Sequence, residues 1–148
     1  MSTETTGTYV SFRRMAHDDI DSVIALGKSS LTYGDLASAD PDSPLAMSYV
    51  ADAGDKIVGF ILARAHFVGI PIREVCVIHA IAVDQGFQNQ GIGTQLLDEL
   101  ENRCSNEDVQ IIRVLLPQYD MRLRNYMTSL GFKQSNLINF DKVCGGEC

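Results

Sequence analysis

Val83-Asp84-Gln85-Gly86-Phe87-Gln88-Asn89-Gln90-Gly91-Ile92-Gly93-Thr94-Gln95-Leu96-Leu97 is the stretch whose reading decides the fold. Upstream of it, the apolar run from Val75 to Val83 predicts a strand that stops at a polar, glycine-rich turn. Downstream, Ile92, Leu96, Leu97 and Leu100 recur at helical spacing, so a helix is predicted from about Gly91. Strand, turn and helix in that order gather backbone N–H groups at a helix N-terminus. Donors and helix dipole together attract a phosphate to such a place.

Three nucleotide-binding signatures could use this geometry. A P-loop has the spacing from Gly86 to Gly91, but Ile92 stands where its lysine must be. The dinucleotide fingerprint G-x-G-x-x-G, begun at Gly91 and Gly93, meets Leu96 at its third glycine. The pattern Q/R-x-x-G-x-G/A is met in full by Gln88-Asn89-Gln90-Gly91-Ile92-Gly93. Together with Ile81-Ala82-Val83-Asp84 before it, this resembles the coenzyme A-binding motif of the Gcn5-related N-acetyltransferases, the GNAT family. Read without the resemblance, the glycines only permit a tight turn at positive φ.

A chain of 148 residues is long enough for one domain with a proper core, and we expect residues 1–142 to form it, followed by a loose tail over 143–148. Apolar residues at 45% and charged residues at 21% place it among globular proteins and not disordered ones. No apolar run reaches membrane-spanning length and Met1 to Thr8 is polar, which predicts a soluble, cytoplasmic protein with no membrane partner. A formal charge of −7 argues against a nucleic-acid partner and suits a cationic substrate. An anionic ligand must then be held by local donors against the overall field.

Cys76 and Cys104 fall at positions expected in the core. Cys144 and Cys148 flank Gly-Gly-Glu, without the histidine partners a metal would want, so no metal site is expected.

Along the chain, Tyr9 to Met15 predicts a first strand, and Asp18 or Asp19 caps a helix with Ile20, Val23, Ile24 and Leu26 inward. Lys28 to Pro44 is irregular, with a short helix expected near Asp35 to Ala39. Met47 to Ala51 and Lys56 to Phe67 flank a turn at Asp52-Ala53-Gly54-Asp55 and predict a hairpin. Val68-Gly69-Ile70-Pro71 then turns into the strand Arg73 to Val83. After the helix of about Gly91 to Arg103, Val109 to Leu116 predicts a buried strand. Met121, Leu123, Met127 and Leu130 share one side of a helix that Gly131 ends, and Lys133 to Lys142 can supply a last strand.

This order is mixed α/β, an α+β sheet that is neither doubly wound nor all-β. It is similar to the GNAT acyl-CoA N-acyltransferase fold, a mixed sheet of about six to seven strands flanked by about four helices. Phe12-Arg13-Arg14-Met15, Ile57-Val58-Gly59-Phe60 and Leu130-Gly131-Phe132 extend the resemblance over nearly the whole chain.

The resemblance implies acetyl-CoA as donor, with its pyrophosphate on backbone N–H groups of about Asn89 to Thr94, that is Asn89, Gln90, Gly91, Ile92, Gly93 and Thr94, following Gln88. It implies that the pantetheine arm pairs like a strand with an open edge at Ile81, Ala82 and Val83, passing between that strand and Val109 to Leu116. It also implies a strand bulge near the thioester, able to aim a backbone N–H at the carbonyl oxygen.

The reaction is attack of a neutral amine on a thioester, which needs a proton removed from an ammonium near pKa 10. Family members usually protonate the leaving thiolate from a tyrosine four residues before the Leu-Gly-Phe glycine. That position is Met127 here, and Tyr126 is turned about 100° from it around the helix. Asp120 replaces an asparagine expected beside the pantetheine, and Leu115 stands where ribosomal-protein N-terminal acetyltransferases would have a glutamate.

His79, two residues before Ile81, is the leading base candidate, since a histidine can take up a proton near neutrality. A buried strand histidine with one hydrogen bond is the alternative. Glu74 could act through water and Tyr119 or Tyr126 could serve as acid, but a solvated strand end and anchoring tyrosines explain these residues as well. His17 and His66 read as surface residues. Asp35, Asp40 and Asp42 in the irregular segment favour a cationic acceptor. The leading reading is an N-acetyltransferase acting in a ternary complex on a small molecule, a protein N-terminus or a lysine, with a homodimer allowed. The alternative is an acyl-CoA-binding sensor or interaction domain of the same fold.

Overall fold

A computed structural model describes residues 9–36, 39–68 and 73–145. They belong to two compact units, Met1–Leu115 and Leu116–Cys148. The expected turn residues Gly69, Ile70 and Pro71, Ala37 and Ser38 of the expected short helix, and Cys148 lie outside the described residues.

The first unit runs β1 (Ser11–Arg14), a 3-10 turn at His17–Asp19, α1 (Ile20–Ser30), β2 (Leu31–Gly34), β3 (Tyr49–Asp52), β4 (Ile57–Val68), β5 (Arg73–Val83), a 3-10 turn at Gln85–Phe87, α2 (Ile92–Asn106) and β6 (Ile111–Arg113). The six strands form one sheet in the order β1-β3-β4-β5-β2, with β6 also on β5. Among the described residues only the β5–β6 pair is parallel. The expected hairpin is β3–β4, joined through the turn at residues 53–56.

Alternation along β4 assigns the two faces. Phe60 and Leu62 join Met15, Val23, Leu26, Val50, Ala80 and Ala82 in a core under α1. The opposite face passes under α2, where a Cβ on Gly59 would lie 3.0 Å from Ile92 and 3.4 Å from Leu96. Helices therefore cover both faces, as the mixed pattern predicts. Cys76 and Cys104 are buried, as expected of core residues.

Asp19 does not cap α1 with its side chain. It accepts the Ala16 N–H at 2.7 Å and takes the Arg13 guanidinium on both carboxylate oxygens, at 2.8 and 2.9 Å. Arg13 also bonds Asp52, so one cation ties β1, the entry to α1 and the end of β3.

Three expectations change. Residues 31–34 form a strand inside what reads as a loop, because an available edge on β5 accepts them. The strand expected over Val109 to Leu116 shortens to the three residues of β6, and these are half-buried. In the second unit, α3 (Met121–Ser129) forms as expected and gives way to Gly131 at φ 100°. No strand follows over 133–142 among the described residues. Without a ladder partner, Leu137, Ile138 and Phe140 stay exposed there. Three α-helices are therefore described where about four were expected.

Candidate acyl-transfer site

The site is built on β5. On one edge it pairs with β4 in regular register from Gly59↔Val83 to Leu62↔Ala80, and the register then jumps to Ala63↔Ile78. The skipped residue is His79. A bulge of this kind leaves one residue outside the ladder and turns its neighbours, which frees His79 to face its own surroundings. The resemblance led us to expect a bulge close to the thioester, and β5 has one two residues before Ile81.

At its C-terminal end β5 enters the glycine turn. Asp84 accepts the Gly86 N–H at 2.8 Å, and Gln88 donates from Nε2 to the Val83 carbonyl at 3.2 Å, which pins the turn from both sides. Asn89 at φ 65° and Gly91 at φ 80° bend the chain into α2. No side chain caps Gly91, so the first-turn N–H groups of α2, among them those of Ile92, Gly93 and Thr94, are left to solvent or to a ligand. A Cβ on Gly91 would meet nothing within 4 Å, so the turn opens outward there.

The other edge of β5 corrects an expectation. β6 pairs with Val75, Cys76 and Val77, and β2 pairs with Ala80, Ile81 and Ala82. The edge expected to be open at Ile81 and Ala82 thus carries a strand of the chain itself, and the register ends before Val83. Unpaired strand edges attract whatever backbone can reach them, and residues 31–34 can. The Asp35 N–H donates to the His79 carbonyl at 3.2 Å, continuing the contact past Gly34. The Tyr33 hydroxyl donates to the Leu115 carbonyl at 2.6 Å and accepts the Leu115 N–H at 3.3 Å. Tyr33 thereby ties β2 to the segment after β6.

The second correction is His66. It is not an isolated surface residue: its Nε2 lies 3.4 Å from Nε2 of His79, both rings half-buried. Burial first, then the neighbouring His66 and the Arg64 charge, lower the His79 pKa below the ordinary 6.5, while Asp35 pulls it up. These effects favour the neutral form of the His79 imidazole. Arg64 donates to Ser43 Oγ at 3.1 Å, and its buried Nε has no partner among the described residues. Sequence reading passed over Tyr33, Arg64 and His66. Two of them were recoverable, since Arg64 and His66 share one face of a predicted strand.

The remaining candidates are more dispersed. Glu74 is half-buried near the start of β5, paired with Phe67 and far along the strand from the glycine turn. Asp42 accepts from or pairs with His17 Nδ1 at 2.8 Å, which raises the His17 pKa, and Asp40 accepts the Asp42 N–H. In the second unit, Asp120 caps α3 by accepting the Leu123 N–H at 3.1 Å. Met127 is buried at 2% exposure and Tyr126 is half-buried, its pKa raised by burial. Tyr119 is 84% exposed and anchors nothing. Among the described residues no three metal-ligating side chains cluster, and no helix is long and apolar enough to cross a membrane.

A family model described as the acetyltransferase (GNAT) family matches residues 18–132. No curated protein matches the chain. Among solved structures, aminoglycoside N-acetyltransferase AAC(6')-Iy in complex with CoA aligns with a TM-score of 0.78 at 16% identity, over 96% of this chain and 99% of that one. Aminoglycoside 6'-N-acetyltransferase AAC(6')-Ih from Acinetobacter baumannii aligns with a TM-score of 0.74 at 12% identity, over 93% and 100%. A transcriptional regulator from Bacillus halodurans C-125 aligns with a TM-score of 0.72 at 16% identity, over 91% and 100%. At these identities the likeness is one of fold. The family match itself spans most of the sequence and takes in the glycine turn together with every α-helix described, so this chain belongs to the acetyltransferase (GNAT) family and is an acetyltransferase.

Proposed function

We propose that the protein transfers an acetyl group from acetyl-CoA to a primary amine by direct attack in a ternary complex at the β5 bulge. The observation that carries this reading is His79, released from the ladder by the bulge and favoured in its neutral form, on the strand that leads into an uncapped helix N-terminus.

The backbone from Asn89 to Thr94 suits the pyrophosphate. Main-chain N–H groups need no basic side chain, which reconciles an anionic donor with a charge of −7. His79 takes the proton that the acceptor's ammonium must lose, and His66, 3.4 Å away, gives that proton a second nitrogen to move to. The neutral amine attacks the thioester carbon; as the C–S bond breaks and the thiolate departs, the new amide nitrogen gives up a second proton to water. Met127, at the position the resemblance gives to a tyrosine, offers no proton, so the leaving thiolate takes its proton from water.

Asp42 and Asp40 are engaged with His17 and with the turn. The charge of Asp35 reaches His79, which supports an ammonium-bearing acceptor there. Fold neighbours that are aminoglycoside N-acetyltransferases support an amine of that kind.

The test is release of CoA thiol from acetyl-CoA over a panel of primary amines: polyamines, aminoglycosides, amino acids, and peptides with free N-termini or lysines. Turnover that depends on a primary amine, highest for cationic ones, is expected. Tight acetyl-CoA binding without turnover on any class would overturn the proposal and favour the sensor reading.

A further inference from the structure

We infer that β2 is a displaceable strand occupying the groove of the acyl donor, so that this protein binds CoA only by exchanging its own backbone for the pantetheine arm. The inference rests on the acetyl-CoA reading above.

Its starting point is a collision of registers. An arm that leads from the glycine turn along β5 must lie against Val83, Ala82 and Ile81, in that order. β2 already holds Ala82 through Leu31, Ile81 through Tyr33 and Ala80 through Gly34. One edge of one strand can carry a single ladder, since each N–H and C=O has one direction in which to bond.

The way β2 is held suggests a strand built to leave. It has four residues, and its register already breaks between Leu31 and Tyr33. Its residues are exposed or half-buried, with Leu31 at 38% exposure, so no core is lost when it departs. Beyond the ladder and the Asp35 N–H bond to the His79 carbonyl, two devices retain it among the described residues. One is Tyr33, whose hydroxyl bonds both the N–H and the C=O of Leu115. The other is Gly34 at φ 89°, where a Cβ would fall 1.8 Å from the His79 carbonyl oxygen, so that only glycine permits this approach.

The same contact links the strand to the reaction. The Asp35 N–H bonds the carbonyl of the bulge residue His79. When β2 withdraws, the bulge loses that bond and the segment leading to Asp35 is released. Donor entry and opening of the acceptor side then become one event, and β2 sets the order: donor first, amine second.

The experiment is CoA binding by calorimetry, with amide hydrogen exchange, on the full chain and on the variants Tyr33→Phe and Gly34→Ala. Tyr33→Phe removes the Leu115 bonds and Gly34→Ala forces β2 off the His79 carbonyl. Each should tighten CoA binding by about threefold to tenfold, the range expected for losing a competitor held by a bond or two. In the wild type, saturating CoA should speed exchange over residues 31–35 while Ile81 and Ala82 stay protected. CoA binding with residues 31–35 equally or better protected, and with affinity unchanged or weaker in both variants, would overturn the strand exchange and leave the acetyl-CoA reading standing. No CoA binding by any of the three proteins would overturn both. Binding by the variants alone would be the strongest support.

Discussion

At the scale of single residues, the fold rests on charges that the sequence places far apart. Arg13 bonds both Asp19, in the next element of the chain, and Asp52, 39 positions further on than Arg13 itself. Its hydrogen bonds to Asp19, and that of the Ala16 N–H, hold the Asp19 carboxyl below its ordinary value of 3.8. A lowered carboxylate pKa contributes stability that is present above the ordinary value and is lost as pH falls through the lowered one. Asp19→Asn should therefore cost about 1–2 kcal/mol at neutral pH, a figure discounted for the 40% exposure of the Arg13 side chain. The gap between variant and wild type should close below pH 3.8, as read by urea titrations across pH. A gap that stays constant down to pH 2 would assign the cost to packing. The histidines show what residue-by-residue reading can and cannot reach. His79 stood out because of its distance from Ile81, which sequence displays. His66 did not, because its partner is set by a bulged register between two strands, and a bulge leaves no mark in a single sequence.

At the scale of elements, the strand, turn and helix around Gly91 were legible because the apolar period changes from strand to helix at one glycine-rich point. β2 was not legible: Leu31-Thr32-Tyr33-Gly34 is too short to show a period, and its pairing is decided by which β5 edge stands open. The strand expected at Lys133 to Lys142 failed for the converse reason, since a suitable composition forms no strand without a partner edge. The turn makes its own prediction. Gly91→Val should weaken CoA affinity by more than tenfold, about 1.4 kcal/mol or more, since a branched side chain would stand where the turn opens outward. It should also cost about 1–2 kcal/mol of stability, because valine resists φ 80°. Asn89→Ala should affect CoA far less, its side chain being no part of the cradle. Calorimetry giving wild-type affinity in a folded Gly91→Val protein would move the pyrophosphate elsewhere.

At the scale of the whole molecule, family and fold class were legible because motif and element order agree over most of the chain. The proposed catalytic groups were legible only in part: His79 stood out, but the usual tyrosine position holds Met127, and the bulge that sets His79 apart leaves no mark in a single sequence. Composition set a further condition, that a protein of charge −7 must hold an anionic donor with its backbone, and an uncapped helix N-terminus meets it. Of the proposed features, the chemistry at His79 matters most. The most direct measurement is the pH dependence of kcat for the wild type and for His79→Ala, using the best amine and saturating acetyl-CoA. A histidine lowered by burial loses its proton below the ordinary 6.5, so the wild-type rate should rise through an ionisation on the acid side of that value. His79→Ala should lose about 10²-fold in kcat together with that ionisation, at unchanged CoA affinity. Full kcat and the same pH profile in His79→Ala would show that the chemistry happens elsewhere.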